Sequence, residues 1–322
     1  MCVTCRPDTP EPRIVCGCDY HSWASEEAPQ SGKIAFLFLI YHSIFHEDVW
    51  RDFLGAAKPS QWSVFVHAKS RPSPLGEPFE SAHLPHDEVV STEYAQLSLV
   101  RAMNALLRRA LLDPANTKFV FVSDACIPVK PFRQVYDALM ADDCSHFSQM
   151  NNETENAQHR RQVLLQGAAS RHTPIARHHA VKASQWCVLN RSVAQLCCKQ
   201  PEQYVRCYEG VKAPEEWFYL TTARRQGLGF GTAGADIDTP VPDLRTAVAN
   251  VEGHHCGPTF ANWHENEDSP QGWRPKTYYT LTRSEIYEFA NSSPCWFARK
   301  FALSCKESLA PLRALLRGQS LY

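Results

Sequence analysis

The sequence predicts an α/β fold on a mostly parallel sheet. Two observations carry this. Short continuous apolar runs alternate with amphipathic segments of helical spacing through roughly the first 145 residues, the order that parallel strands and their crossover helices leave in a chain. The 322 residues are also 44% hydrophobic and 11% aromatic, enough for a packed core.

The elements follow in order. Lys33-Ile-Ala-Phe-Leu-Phe-Leu-Ile40 is apolar at nearly every position, the mark of a central strand buried on both faces. His46 to Ala57 reads as a helix, and Trp62-Ser-Val-Phe-Val-His67 as a second strand. Glu88-Val-Val-Ser91 reads as a third. Gln96 to Leu112 carries apolar residues at 97, 99, 100, 103, 106, 107 and 111 with arginines opposite, which is helical spacing. Phe119-Val-Phe-Val-Ser123 is another buried strand, and Pro131 opens a short helix to Met140. Ligands on such sheets bind at the carboxyl ends of the strands, here His42, His67 and Ser123 to Cys126.

The second half is less regular. Asn151 to Arg177 is polar and basic and reads as a long loop. Ser184 to Leu189 reads as a strand, Arg191 to Lys199 and Glu215 to Arg225 as helices, and Asp236 to His264 as loop. Ser284 to Ala290 is a short helix, Trp296 to Phe301 an apolar segment, and Lys306 to Leu316 a final helix. Residues 1–31 form an irregular tail with four prolines and four cysteines, and 32–322 form a single domain.

Charge and composition exclude several functions. Thirty-three basic residues against 34 acidic ones argue against a general nucleic-acid binder or a polybasic membrane binder. No apolar run approaches the ~18 residues of a membrane span, and the opening Met1-Cys-Val-Thr-Cys-Arg-Pro7 has no signal-peptide apolar region. Any membrane link is expected only through an anchor not present in this chain. Thirteen cysteines and sequons at Asn152, Asn190 and Asn291 lean towards the secretory pathway.

Several motifs are decoys. Cys2-x-x-Cys5 with Cys16-x-Cys18 has the wrong second half for a zinc site. Gly229-Phe-Gly231-Thr-Ala-Gly234 matches a dinucleotide fingerprint but lacks the strand before it and the helix after it. Asp236-Ile-Asp238 matches a metal-binding carboxylate pair but stands late, among prolines. His178-His179 and His254-His255-Cys256 have ligand residue types in adjacent positions, a poor geometry for one ion.

Four segments in order resemble the core-2/I-branching glycosyltransferase family and its plant-type relatives. They are Lys33–Ile40 leading to Phe65-Val-His67-Ala-Lys69; Ser98–Leu107 leading to Phe119-Val-Phe-Val-Ser-Asp-Ala-Cys-Ile-Pro128; Ala183-Ser-Gln-Trp-Cys-Val-Leu-Asn-Arg191; and Pro214-Glu-Glu-Trp-Phe218 followed by Trp296-Phe-Ala-Arg-Lys-Phe301. The resemblance implies a GT-A type fold and an inverting, metal-independent transfer from a UDP-sugar donor to a glycan acceptor, with no cofactor and no bound metal. The donor sugar is GlcNAc in the animal branch. It also implies a Golgi location.

Such a transfer needs one base for the acceptor hydroxyl and positive charge for the departing diphosphate. The family's base is the second acid of a Pro-Asp-Glu motif, which falls on Glu216; Glu215 replaces the aspartate and leaves open which acid points inward. The family's diphosphate lysine falls on Lys300, with Arg299 beside it. The family's upstream arginine has no clear match, and Arg274 or Lys276 could serve. For the uridine the resemblance points to Ile40 or Tyr41, to His67 where the animal enzymes have aspartate, and to Tyr94. Acceptor contacts are expected from 151–177 and 251–263. Two rival readings remain: a catalytically inactive UDP- or glycan-binding protein on the same fold, and an unrelated Cys/His hydrolase.

Overall fold

A computed structural model describes residues 32–70, 74–150, 152–225, 246–250, 257–262 and 274–319. The tail, Gly229 to Gly234, Asp236, Asp238 and His254 to Cys256 lie outside them.

The chain opens with strand β1 (Lys33–Ile40), helix α1 (Glu47–Gly55), β2 (Trp62–Ala68), α2 (Leu97–Leu111) and β3 (Asn116–Ser123). β1 pairs in parallel with β2 on one side and β3 on the other. The continuous apolar run in β1 follows from covering both faces. Ala35 and Leu37 join one core with α2, while Ile34, Phe36, Phe38 and Ile40 join the other with α1. β3 alternates in the same way, Phe119 and Phe121 against Val120 and Val122.

A two-residue strand β4 (Ile127–Pro128) and helix α3 (Phe132–Met140) follow. Then come β5 (Ser145–Gln149), α4 (Glu155–Ser170), β6 (Val188–Asn190), α5 (Arg191–Cys198), the one-turn α6 (Glu202–Val205) and α7 (Glu215–Arg224). The chain continues through β7 (Thr246–Asn250), β8 (Thr259–Ala261), α8 (Arg283–Tyr287), β9 (Phe297–Arg299) and α9 (Ala310–Leu316). The main sheet has the order β2-β1-β3-β6-β5-β7. β6 alone runs against its neighbours, so five of the six strands point the same way. This is the mostly parallel sheet flanked by helices that the sequence predicts. Among the described residues, no helix is long and apolar enough to cross a membrane.

Two expectations are corrected. Glu88 to Ser91 is not a strand: 86–88 is a single 3-10 turn, and the Val90 N–H is taken by the His67 ring at 3.0 Å instead of by a ladder. Most of 151–177 is not a loop but the 16-residue helix α4. Thr154 caps it by accepting from the Ala157 N–H at 3.2 Å. Its inward stripe is Ala157, Arg161, Leu164 and Ala168, with only one large apolar side chain. Gly167 permits close packing here, because a Cβ there would lie 2.5 Å from the Cys207 carbonyl oxygen.

A second sheet of order β4-β9-β8 brings the C-terminal segment under the end of β3. Ile127 pairs with Ala298 and Pro128 with Phe297, and the Phe301 N–H donates to the Ala125 carbonyl at 3.1 Å. Phe297 packs against Phe36, Trp50 and Phe53, with the Trp50 ring stacked on it at 5.9 Å. Trp50 Nε1–H donates to the Cys126 carbonyl at 2.9 Å. Trp50→Ala should therefore destabilise the protein by about 3–5 kcal/mol, and Trp50→Phe by about 1–3 kcal/mol for the stranded carbonyl. Urea unfolding of the two variants checks both magnitudes and their order.

Candidate active site at the carboxyl edge of the sheet

β1, β2 and β3 all end on one edge, as a parallel sheet requires. At the end of β1, Ile40 is buried in the core and its carbonyl accepts from Lys69 N–H at 3.0 Å. Tyr41 is 55% exposed, so of these two it is Tyr41 that has a side chain within reach of a ligand. His67, at the end of β2, is fully buried. Its Nε2 accepts from Val90, and burial pulls the ring below the ordinary histidine value. As placed, it is a neutral ring supporting the 88–91 segment, with no exposed surface to offer a base.

Asp124 follows β3 directly. Its carboxyl accepts from the backbone N–H groups of Tyr41 and Ala125 and feels the charges of Arg299 and Lys300, yet burial outweighs them and raises it above the ordinary aspartate value. A single acid beside two cations drawn from the far end of the chain leaves no motif in the sequence. Lys300 is pulled below the ordinary ammonium value, first by burial and then by Arg299 and Arg274, with Asp124 opposing. Arg299 stacks on the Trp186 ring at 4.6 Å. Tyr41, Asp124, Arg299, Lys300 and the exposed Arg274 thus gather at one place. Lys276 stands slightly apart, with Nζ 5.1 Å from the Tyr278 ring centre and its N–H on the Asn262 carbonyl at 2.7 Å.

The two acids opening α7 occupy different environments. Glu215 is 5% exposed, its Oε2 has no partner, and burial, with Glu216 adding to it, lifts it to about 8. Glu216 is half-buried, and its Oε2 lies 3.5 Å from Arg160 Nη1 and 3.3 Å from Lys182 Nζ. Glu215 therefore turns into the core and Glu216 faces charged partners. The approach to the helix is strained. Ala213 and Ala95 both sit in the left-handed region, at φ 54° and 57°, and the Ala213 N–H donates to the Ala95 carbonyl at 3.0 Å. Each costs on the order of 1 kcal/mol or more. Tyr94, 81% exposed, is thereby held beside the start of α7.

A short segment joins the acid to the cations. Ala183 N–H donates to the Glu216 carbonyl at 2.7 Å, and Trp186, three residues on, carries Arg299. Three residues span at most about 11 Å. A half-buried acid and a cluster of cations accordingly stand on either side of one small region.

A family model described as Core-2/I-Branching enzyme matches residues 34–288, which takes in β1, β3, α7 and both acids. The chain belongs to the Core-2/I-Branching enzyme family. Membership makes the sheet a GT-A-like one. The chain is also similar to Glycosyltransferase BC10 of Oryza sativa subsp. japonica, 28% identical over 185 residues, covering 55% of this chain and 44% of that protein. The chain thus spans less than half the length of the curated relative it matches.

In this member of the Core-2/I-Branching enzyme family the buried Glu215 makes stability pH-dependent. Between the ordinary glutamate value of 4.5 and about 8, the unfolded chain has lost this proton while the folded one keeps it, so stability falls as pH rises. The loss totals roughly 5 kcal/mol and levels off above the folded value. Glu215→Gln, neutral throughout, should flatten that slope in urea titrations from pH 5 to 8. An unchanged slope would contradict the assignment.

Proposed function

We propose that the chain is an inverting, metal-independent glycosyltransferase. It moves a sugar, GlcNAc by resemblance to the animal branch, from a UDP-sugar to a glycan hydroxyl, in the Golgi lumen or another secretory compartment. The observation that carries this reading is the pairing of a half-buried acid, Glu216, with the Arg299–Lys300 cations across the 183–186 segment.

In the proposed step the acceptor oxygen attacks the anomeric carbon in line as Glu216 takes its proton. The bond from that carbon to the diphosphate oxygen breaks, and UDP leaves with the electron pair. Lys300 and Arg299 meet the charge that develops on it. Asp124 orients these cations from the end of β3, and two fixed positive side chains supply what a divalent ion would supply elsewhere. Tyr41 and Tyr94 offer exposed rings for the donor, and Arg274 a further charge.

Calorimetry in excess EDTA tests the donor site. UDP should bind without metal, and Lys300→Ala should weaken it at least tenfold. Binding that appears only with manganese would reject metal independence. Glu216→Gln should bind UDP like the parent while transfer falls by about 10²-fold or more. Substantial transfer by that variant would remove Glu216 as the base.

A further inference from the structure

We propose that the acceptor carries a negative charge near the hydroxyl that is glycosylated, and that Arg160 and Lys182 form the subsite that binds it. This rests on the transferase reading above and names its acceptor class.

Charge does not balance around Glu216. Arg160 and Lys182 both reach its Oε2, at 3.5 and 3.3 Å, longer than the roughly 2.7–2.9 Å of a well-made charged hydrogen bond. One carboxylate faces two cations, and neither cationic group makes another ion pair or hydrogen bond among the described residues. Both side chains are half-buried, with 21% and 17% of their surface exposed, so solvent only partly compensates.

The neighbouring acid does not help. Glu215 holds its proton at neutral pH because of burial. A third cation lies on the same ledge: Arg224 donates to Gln149 Oε1 at 3.2 Å and to the His178 carbonyl at 3.4 Å, both neutral oxygens. Gln149 in turn bridges to Ala183, the residue next to Lys182 and bonded to the Glu216 carbonyl. Two cations therefore face one carboxylate, and a third stands nearby on neutral oxygens.

Catalysis worsens the imbalance. When Glu216 takes the acceptor proton it becomes neutral, and Arg160 and Lys182 lose the one counter-charge they have among the described residues. A neutral glycan leaves them uncompensated at that moment. An acceptor with a carboxylate or sulfate group supplies the charge itself, and a guanidinium matches either oxyanion in bidentate fashion. The subsite uses side chains other than the proposed diphosphate cations, of which Arg299 stacks on Trp186.

The experiment measures binding of three disaccharides to the full chain saturated with UDP: one ending in a uronic acid, one in the matching sulfated hexose, and one in the neutral hexose. One or both charged probes should bind at least tenfold tighter than the neutral one, an advantage that shrinks as salt rises. The stronger of the two identifies the oxyanion. In Arg160→Gln and in Lys182→Gln the ratio of charged to neutral affinity should fall several-fold towards one. Equal affinities, a neutral preference, or a ratio unmoved in both variants would overturn the anionic subsite while leaving the transferase reading intact. Failure of UDP itself to bind would instead overturn the transferase reading on which the subsite rests.

Discussion

Everything at the carboxyl edge depends on one short pairing: Ile127–Pro128 against Phe297–Ala298. That contact carries the C-terminal segment back beneath the end of β3 and sets Arg299 and Lys300 next to Asp124. Hydrogen bonds alone would hold so brief a ladder weakly. The aromatic group of Phe36, Trp50, Phe53 and Phe297 fixes it from below, and the Phe301 N–H closes it from above on Ala125. The cations are thus placed by apolar burial, whose favourable free energy does not depend on their own costly desolvation.

The site uses environment to give similar residues different tasks. Two consecutive glutamates share a helix turn, yet one is driven into the core and keeps its proton while the other meets Arg160 and Lys182. A helix rotates about 100° per residue, which is enough to separate a buried acid from one that faces charged partners. The left-handed pair Ala95 and Ala213 fixes the rotation at which α7 begins. Strain at that junction is the cost of presenting Glu216, and the surrounding aromatic core of Tyr204, Tyr208 and Phe218 offsets it.

Much of the fold was legible because burial on two faces leaves an unmistakable apolar run in β1 and β3. β5 was not: Ser145-His-Phe-Ser-Gln149 has one large apolar residue, and its burial is satisfied by partners such as Asn190, which accepts from Ser145 Oγ at 3.2 Å. Helix α4 was hidden for the same reason, since an arginine occupies its inward stripe and donates to the Ala180 carbonyl. Glu216, Arg299 and Lys300 were found through resemblance, which reads position in a motif. Asp124, Arg160 and Lys182 were missed because single charges in polar stretches have no period, and only the folded chain brings them to their neighbours. Of the three sequons, Asn152 and Asn190 are buried and occupied as hydrogen-bonding groups, a use that sequence spacing does not reveal.

The chain order of the second core has a consequence for biosynthesis. Phe36 and Phe53 meet Phe297, and Asp48 and Asp52 meet Arg313, across about 245 to 265 positions of sequence. That face of the central sheet, covered early by α1, therefore stays incompletely covered until nearly all of the described chain has left the ribosome. Contacts of such long range form slowly, and an apolar sheet face waiting for its cover is a substrate for chaperones and a seed for aggregation. Placement of Arg299 and Lys300 beside Asp124 waits on the same late segment, so a nascent chain carries part of this apolar face exposed until then.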